Sequence, residues 1–458
     1  MIKKIEIQKE TNADCTVYAI IDKKIPSFLT KENYPLLESF DYKEGKAIQI
    51  LLNGKLVYCL AMKNTNESLR KSVASFYKRI KHDVKTLSFD LESFQNKGEV
   101  LSEALYMASY EFNQYTAVKQ EPTVVFKGAN QNLETSYILG KNINEARYYG
   151  DEAPNVLNSE VYAEKLQKSL EGLPVEITIL NKAAIEKENM NLFLAVNKGS
   201  RYEPRFVHVV YEPKQYKKHI ALVGKGITFD TGGYSLKPAA SMMTMKFDMM
   251  GSATVFAAFK SAVEMNIEAK ISLFIPITDN AVSGNAITPD SIVVGRSGKT
   301  VEILNTDAEG RLILADALDF ACDQKPDYIV DAATLTGAVI VALGDQVTGL
   351  MSNNDDLSQN FLTSAQECDE RVWRLPLFEE YFEDIKSKNA HIKNIGAPGK
   401  GGTVTAGAFL AHFIKNDIPW IHLDIAGSSS EQKHLSYCPE GASGLMIRSL
   451  VNFLKKMI

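Results

Sequence analysis

The sequence predicts an α/β protein of two domains, a smaller N-terminal α/β domain and a larger C-terminal domain with a mixed, mostly parallel central sheet flanked by helices. Four short apolar runs, HIALVG, ISLFIPITD, DYIVDAATL and WIHLDIAG, each lead into a polar or glycine-bearing turn. Helical patterns separate these runs, which is the alternation typical of an α/β sheet. A length of 458 residues also exceeds that of one ordinary domain.

The first 140 residues alternate β and α patterns as well. Asn53-Gly54 lies between two β-rich runs, which predicts a two-residue hairpin. A helix, a strand over TLSFDL and a second helix near VLSEALYMASYEF are expected to follow. The apolar face of the first helix is formed by Leu69, Val73, Phe76 and Ile80. This region has no cluster of ligand residues, so we expect it to serve assembly rather than chemistry.

The domain boundary is expected near residues 140–157, where a helical pattern carries the chain across and Pro154 ends it. We therefore expect an N-terminal domain over residues 1–140. A C-terminal catalytic domain is expected over residues 141–458.

The run NTDAEGRL at residues 305–312 places two carboxylates and a guanidinium within five residues. In a loop, the side chains of Asp307 and Glu309 can converge on one point, and the apolar pattern that follows predicts a helix starting near Gly310 or Arg311. Arg311 at a positive helix end suits a small anion. The alternative interpretation is a capping carboxylate and a solvated arginine, and the eight residues alone leave both open.

A second cluster lies in residues 219–250. The glycine-rich turn after HIALVG carries Lys225, Asp230 and Lys237, and Asp248 follows in MKFDMMG. The surrounding residues have the composition of a buried segment, and buried charges of mixed sign need partners or metals. Carboxylates are hard oxygen ligands, and neither cluster contains a histidine or cysteine, which suits two divalent cations bridged by carboxylates.

Both segments closely resemble the leucyl aminopeptidase family, also called cytosol aminopeptidases, whose signature is NTDAEGRL and whose metal-binding turn is similar to VGKGITFDTGG. The resemblance extends from about Asn142 to the C terminus. It implies a metal-dependent aminopeptidase that hydrolyses the N-terminal peptide bond of peptides with a free α-amine. It also implies a homohexamer.

The resemblance implies two metal ions in each subunit. The more exchangeable ion would be held by Asp230, Asp307 and Glu309, with the backbone carbonyl of Asp307 helping. The tighter ion would be held by Lys225, Asp230, Asp248 and Glu309. Zinc or manganese is favoured, and magnesium or cobalt can also accept this ligand set. Lys225 can ligate a metal only as the neutral amine, which burial and adjacent dications favour.

The resemblance also makes Lys237 the catalytic lysine and Arg311 the residue that holds bicarbonate. Two nearby dications can lower the pKa of a shared water to roughly 7, so hydroxide is the expected nucleophile. Lys237 would stabilise the oxyanion, and bicarbonate on Arg311 would accept the proton of the water. A free α-amine is a good metal ligand and an amide nitrogen is not, so we expect N-acetylated peptides to resist cleavage.

The resemblance implies a substrate pocket that is lined by Met245, Asn305, Thr334, Gly337, Ala426 and Ser429. Ser429 departs from the family, in which many members have a methionine at this position, so the pocket is expected to be less apolar or differently shaped. Thr231 and Tyr234 also replace the commoner serine and isoleucine. From pattern alone, ordinary loop structure would account for Thr334, Gly337 and Ala426.

Composition excludes several classes of partner. A net charge of −5 argues against nucleic-acid and membrane binding, since both favour a basic surface. The sequence has no apolar run of 18 residues and no signal-peptide core at its start, so a cytoplasmic location is expected. Five widely spaced cysteines without a CxxC pair predict reduced thiols. His422, inside an apolar strand pattern, is expected to be structural.

Two other functions compete with the peptidase. The glycine-rich turn after a strand could hold a phosphate or nucleotide, but it lacks the GxxxxGK[ST] and GxGxxG spacings, and Asp230 would repel a phosphate. The chain could instead be a non-enzymatic scaffold or regulatory protein that retains the fold. All expected ligand positions are filled, which favours catalysis.

Overall fold

The computed structural model describes residues 2–26, 28–29, 34–117 and 120–458. The chain divides into two compact units. The first comprises Met1–Asn144 and Gln432–Glu440, and the second comprises Glu145–Glu431 and Gly441–Ile458. Both units are α/β, with mostly parallel sheets flanked by helices, which confirms the predicted fold class.

The first unit contains a mostly parallel sheet, which in its described residues has six strands. The strands are β1 (Glu6–Gln8), β2 (Cys15–Ile21), β3 (Ala47–Leu52), β4 (Lys55–Met62), β5 (Thr86–Asp90) and β6 (Thr123–Lys127). Their order is β1-β6-β5-β2-β4-β3, and only the pairing of β3 with β4 is antiparallel among these strands. The helices are α1 (Tyr34–Glu38), α2 (Asn66–Ile80), α3 (Gly98–Ala108) and the first part of α4 (Glu134–Asp151), a helix that passes from the first unit into the second after Asn144.

The predicted elements of this unit are confirmed. Asn53 and Gly54 join β3 to β4 with φ angles of 49° and 75°, as a two-residue hairpin of type I′ requires. The hydroxyl of Thr65 accepts a hydrogen bond from the backbone N–H of Ser68 and caps α2. The apolar face of α2 is buried at Leu69, Val73, Phe76 and Ile80.

The second unit contains a larger and a smaller sheet. Its strands are β7 (Val175–Leu180), β8 (Arg205–Tyr211), β9 (His219–Gly224), β10 (Gly226–Asp230), β11 (Lys270–Asn280), β12 (Ser291–Val294), β13 (Thr300–Ile303), β14 (Tyr328–Ala333), β15 (Thr348–Ser352), β16 (Val372–Arg374), β17 (Ile392–Lys393) and β18 (Trp420–Asp424).

Helices flank these sheets. They are α5 (Ser159–Ser169), α6 (Lys182–Lys187), α7 (Asn191–Asn197), α8 (Ala239–Met242), a 3-10 helix over Met245–Met249, α9 (Met250–Glu264), α10 (Gly310–Asp323), α11 (Gly337–Leu343), α12 (Asp355–Glu367), α13 (Glu379–Asp384), α14 (Gly402–Ala411) and α15 (Ile447–Lys456).

The larger sheet has the order β16-β15-β18-β14-β9-β11-β8-β7, with β10 also paired to β11. Its centre, β18-β14-β9-β11, is parallel and consists of the four predicted apolar runs. β8 and β7 continue the sheet as antiparallel strands, and β15 runs antiparallel to β18. Because the central strands are parallel, their carboxyl ends share one edge of the sheet.

The core of the second unit packs around α10. Leu312, Ile313 and Leu318 on this helix are buried in one cluster with Val223 of β9 and Ile329 of β14. Burying a side chain of this size contributes roughly 1.5–3 kcal/mol. The packing therefore fixes the start of α10 near the carboxyl ends of the strands. Within the described residues, no helix has the length and apolar character needed to cross a membrane.

Candidate metal centre and active site

The predicted site residues lie at the carboxyl edge of the larger sheet. Lys225 directly follows β9, and Asp230 is the last residue of β10. Thr334 directly follows β14, Gly337 is the first residue of α11, and Ala426 lies two residues beyond β18. This is the edge where ligands bind in α/β sheets.

The side chain of Lys225 lies in a cradle of oxygen atoms. Its Nζ lies 2.8 Å from Asp248 Oδ1, 3.0 Å from Glu309 Oε1 and 2.8 Å from the carbonyl oxygen of Thr334. The hydroxyl of Thr334 donates to the same Oδ1 of Asp248 at 2.8 Å. A Cβ atom at Gly310 would lie 2.5 Å from Cε and 2.6 Å from Nζ of Lys225, so a larger residue here would displace the end of the lysine side chain.

Lys237 joins two further carboxylates. Its Nζ lies 2.8 Å from Asp230 Oδ2 and 2.6 Å from Asp307 Oδ1. The other oxygen of Asp230 accepts hydrogen bonds from Gly232 N and from Asn280 Nδ2, both at 2.8 Å. The turn between Asp230 and Lys237 is closed by a bond from Lys237 N to the carbonyl of Thr231.

Three carboxylates converge on one point. Among the described residues, Asp230, Asp307 and Glu309 each offer one carboxylate oxygen, and these three oxygens lie within 4.8 Å of one another. Lysine nitrogens lie near Asp307 Oδ1 and Glu309 Oε1, yet neither contact has the angles of a hydrogen bond. Both contacts are ion pairs, because the attraction between opposite charges does not require that geometry.

Some of the oxygens in this cluster have no hydrogen-bond partner in the described part of the chain, namely Asp248 Oδ2 and Glu309 Oε2, and both are buried. The cluster contains four carboxylates and two lysine ammonium groups, which together carry a formal charge of −2 if all are ionised. The carboxylates are those of Asp230, Asp248, Asp307 and Glu309, and the ammonium groups are those of Lys225 and Lys237. Buried, unpartnered carboxylate oxygens with excess negative charge are the donors that divalent cations require. The residues present therefore fit a metal centre.

The pKa values in the cluster follow from burial and crowding of like charges. Burial raises the pKa of Asp230, Asp248 and Asp307, and neighbouring carboxylates raise each further. Burial acts to lower the pKa of Lys225 and Lys237, but the carboxylates outweigh it and both pKa values are raised. Both ammonium groups thus offset part of the negative charge of the carboxylates, and Lys225 must give up its proton before it can ligate a metal.

Arg311 is the second residue of α10 and is almost fully buried. Its Nη1 donates to the carbonyl oxygen of Asn394 at 2.7 Å, whereas its Nε has no partner among the described residues. Burial lowers the pKa of the guanidinium to about 10. A buried guanidinium with a spare donor beside a helix N-terminus fits a small anion.

Only some of the residues predicted to line the substrate pocket contact one another directly. Asn305 Oδ1 accepts a hydrogen bond from Asp307 N at 2.8 Å, within the NTDAEGRL loop. The Ser429 hydroxyl is buried and donates to the carbonyl of Ala426 at 3.4 Å. Met245 starts the 3-10 helix that carries Asp248. That these residues line one pocket with Thr334 and Gly337 stays a prediction.

Three polar residues that support the site were not singled out from the sequence. Asn280, the last residue of β11, bonds Asp230 and the carbonyl of Thr306. Asp424, at the end of β18, accepts from the hydroxyl and N–H of Thr336 and from two other backbone N–H groups. Asn280 directly follows the predicted run ISLFIPITD, and Asp424 lies within the predicted run WIHLDIAG, so their places beside predicted strands could have indicated them. Asn394 has no such signal.

His422 has a structural environment. Its Nδ1 lies 2.6 Å from Asp331 Oδ1, and Trp420 Nε1 donates to the other oxygen of Asp331 at 2.7 Å. All three side chains are fully buried. These contacts join β18 to β14 below the strand ends.

The fold and this buried acidic cluster are those of a metal-binding α/β protein. Residues 144–451 match the cytosol aminopeptidase family, catalytic domain, and the chain belongs to this family. It is 36% identical over 446 residues to a "Probable cytosol aminopeptidase" of Sulfurihydrogenibium sp. (strain YO3AOP1), an alignment that covers 92% of this chain and 88% of that protein.

Two further proteins are similar to the chain. The "Cytosol aminopeptidase" of Encephalitozoon cuniculi (strain GB-M1) is 36% identical over 468 residues, covering 99% of this chain and 95% of that protein. Among solved structures, the bottromycin maturation enzyme BotP in complex with Mn superposes with a TM-score of 0.89 at 25% identity, covering 97% of this chain and 99% of that one.

These findings confirm the predicted family and enzyme class. The chain is a leucyl aminopeptidase-type hydrolase, and aminopeptidases act on peptide substrates. The family depends on two metal ions, and the buried cluster of Asp230, Asp307 and Glu309 fits that dependence.

Proposed function

We propose that this enzyme releases the N-terminal residue of peptides that have a free α-amine, and that Lys225, Asp230, Asp248, Asp307 and Glu309 hold its two divalent metal ions. One observation carries the proposal: four carboxylates and two lysines converge at the carboxyl edge of the sheet, and two of the buried carboxylate oxygens, Asp248 Oδ2 and Glu309 Oε2, have no hydrogen-bond partner among the described residues.

The ligands divide into two sets that share Asp230 and Glu309. Lys225 and Asp248 complete the tighter set, and Asp307 completes the more exchangeable one. When bound, the two ions would supply Lewis acidity and lower the pKa of a water to roughly 7. Asn280 supports both sets, because its amide holds Asp230 Oδ1 and also bonds the loop that carries Asp307.

We propose that Lys237 stabilises the negative charge that develops on the oxygen of the scissile carbonyl. Asp230 and Asp307 raise the pKa of Lys237, so in this structure its Nζ carries a positive charge at neutral pH. Its contacts with Asp230 and Asp307 hold this charge beside the ligands. Preorganised charge of this kind is most effective where charge develops in the transition state.

We propose that Arg311 holds bicarbonate, which serves as the general base. The pKa of Arg311, about 10, lies well above neutral pH, so the guanidinium does not take up a proton itself. Its role is to fix the anion, through the Nε that has no partner among the described residues.

Substrate selection would rest on the α-amine, because a free amine can ligate a metal and an acylated nitrogen cannot. The proposed pocket for the first side chain of the substrate is lined by Met245, Asn305, Thr334, Gly337, Ala426 and Ser429.

On the family resemblance alone, we propose zinc or manganese as the metal. On the same ground, we propose that the N-terminal unit serves the assembly of a homohexamer. We also propose a cytoplasmic location, which agrees with five widely spaced cysteines that include no CxxC pair.

The test uses the full chain stripped with a chelator and then resupplied with Zn²⁺ or Mn²⁺. We expect release of leucine from leucine p-nitroanilide to vanish on stripping and return with the metal. Unchanged hydrolysis in the stripped enzyme would contradict the proposed centre. A lack of hydrolysis of any aminoacyl substrate after metal is restored would contradict the proposed activity.

A further inference from the structure

Asn394 lies where the smaller sheet meets the NTDAEGRL segment. β17 pairs in parallel with β13, and Val301 and Glu302 face Ile392 and Lys393 in the register. The backbone N–H of Asn394, directly after β17, donates to the carbonyl of Glu302 at 2.9 Å. β13 ends at Ile303, so beyond it the side chain of Asn394 takes the place of a partner strand. This side chain is fully buried.

The amide of Asn394 bonds the backbone of the loop that follows β13. We call residues 304–309 the signature loop. Oδ1 of Asn394 accepts hydrogen bonds from Leu304 N at 2.8 Å and from Asn305 N at 3.3 Å. Nδ2 of Asn394 donates to Asn305 O at 2.7 Å and to Ala308 O at 3.5 Å. A flipped amide would set donors against donors, so the network dictates one orientation.

The same residue also fixes the arginine that follows the loop. The backbone carbonyl of Asn394 accepts a hydrogen bond from Arg311 Nη1 at 2.7 Å. Asn394 thus contacts the backbone before Asp307, the backbone between Asp307 and Glu309, and the side chain of Arg311. The four hydrogen bonds of its side chain go to backbone atoms of the signature loop, so Asn394 would act on the carboxylates through the loop.

We propose that Asn394 is a positioning residue, which sets the directions of Asp307 and Glu309 and the place of Arg311. The proposal rests on the proposed function, because these three residues are the assigned metal and anion ligands. An aspartate at this position would lose both donors and place a second acceptor against the carbonyls of Asn305 and Ala308. Loss of groups that orient metal ligands typically weakens metal affinity about 10–100-fold.

The experiment is a titration of Mn²⁺ into the stripped full-length enzyme, followed by calorimetry, for the wild type, Asn394→Asp and Asn394→Ser. Asn353→Asp, at an exposed position, is the control for replacing an amide that bonds backbone atoms. Asn353 also accepts from a backbone N–H, of Trp420 at 2.8 Å, and donates to a backbone carbonyl, of Ile418 at 3.0 Å. It does so at the amino end of β18, away from the carboxyl edge.

We expect Mn²⁺ affinity to fall about 10–100-fold in Asn394→Asp, whereas Asn353→Asp should keep the wild-type affinity. In Asn394→Asp, kcat should fall by a larger factor than the factor by which KM changes. If circular dichroism shows that Asn394→Asp does not fold, Asn394→Ser takes its place in the experiment. The same fall in Mn²⁺ affinity is expected for that variant. Wild-type affinity in the folded Asn394 variants, or equal weakening in Asn353→Asp, would overturn the role of Asn394. A wild type that binds no Mn²⁺ or Zn²⁺ would instead refute the metal centre itself.

Discussion

The Nζ atom of Lys225 lies 2.8 Å from Oδ1 of Asp248, and both side chains are almost fully buried. A buried ion pair alone adds little net stability, because desolvation of both charges offsets their attraction. Here the pair is also surrounded by Glu309 and Asp230, which raise the pKa of Lys225. The excess of carboxylates indicates that the cluster is organised for cations rather than for stability.

Replacing Asp248 by asparagine tests the tighter metal position. The variant keeps the size of the side chain but removes its charge, so we expect it to lose one of the two ions and nearly all turnover. Metal content by mass spectrometry and the rate of leucine p-nitroanilide hydrolysis measure both effects. Asp316→Asn is the control, because Asp316 is also buried but bonds backbone N–H groups of Phe193 and Arg296. Full activity of Asp248→Asn would count against its assigned role.

Replacing Lys237 by methionine separates chemistry from metal binding. We expect the metal content to persist and kcat to fall by about 100-fold or more, the range seen when one donor to a developing oxyanion is removed. Lys260→Met is the matched control, since Lys260 pairs with Glu145 and Ser169 instead. A variant that keeps the wild-type kcat would show that Lys237 does not act on the transition state.

Blocking the substrate amine tests how the enzyme selects chain ends. We expect leucyl peptides to be cleaved and their N-acetylated forms to be cleaved at no measurable rate, because acylation removes the lone pair that ligates a metal. Liquid chromatography of the products from both substrates measures the difference. Comparable rates on the two substrates would refute selection through the α-amine.

His208 predicts a pH dependence of stability outside the site. Burial lowers the pKa of His208 to about 4, and its ring stacks on Phe274 with centroids 4.6 Å apart. The unfolded chain, with an ordinary pKa near 6.5, therefore binds more protons between pH 6.5 and about 4. This contribution to stability is complete above pH 6.5 and is lost as the pH falls through that window.

His208→Phe keeps the stacked ring and removes the titration. The free energy of unfolding of the wild type relative to this variant should therefore fall by on the order of 2 kcal/mol from pH 7 to pH 4.5. Urea unfolding at several pH values measures it. A pH-independent difference between wild type and His208→Phe would disprove the assignment.

Local pattern was enough to predict the centre of the fold and the clustered charges. The four apolar runs become the parallel strands β9, β11, β14 and β18, and α10 starts at Gly310 as expected. The Asn53-Gly54 turn was also predictable, because its φ angles are a local property. Charged residues inside apolar segments indicated Lys225 and Asp230, since burial of charge is costly without partners.

The hydrogen bonds that support the site could not be predicted from local sequence pattern. Asn394 lies 89 residues after Asn305, whose backbone it bonds, and nothing in its neighbouring sequence indicates that contact. The inclusion of Gln432–Glu440 in the first unit is likewise a matter of tertiary packing, as is the pairing of β17 with β13. Such contacts depend on how distant elements pack, which periodicity does not encode.

Anomalous diffraction from crystals grown with Mn²⁺ or Zn²⁺ tests the central claim most directly. The account predicts two peaks in each subunit, one among Lys225, Asp230, Asp248 and Glu309 and one among Asp230, Asp307 and Glu309. Crystals that contain ample metal but show no peak between these side chains would contradict it.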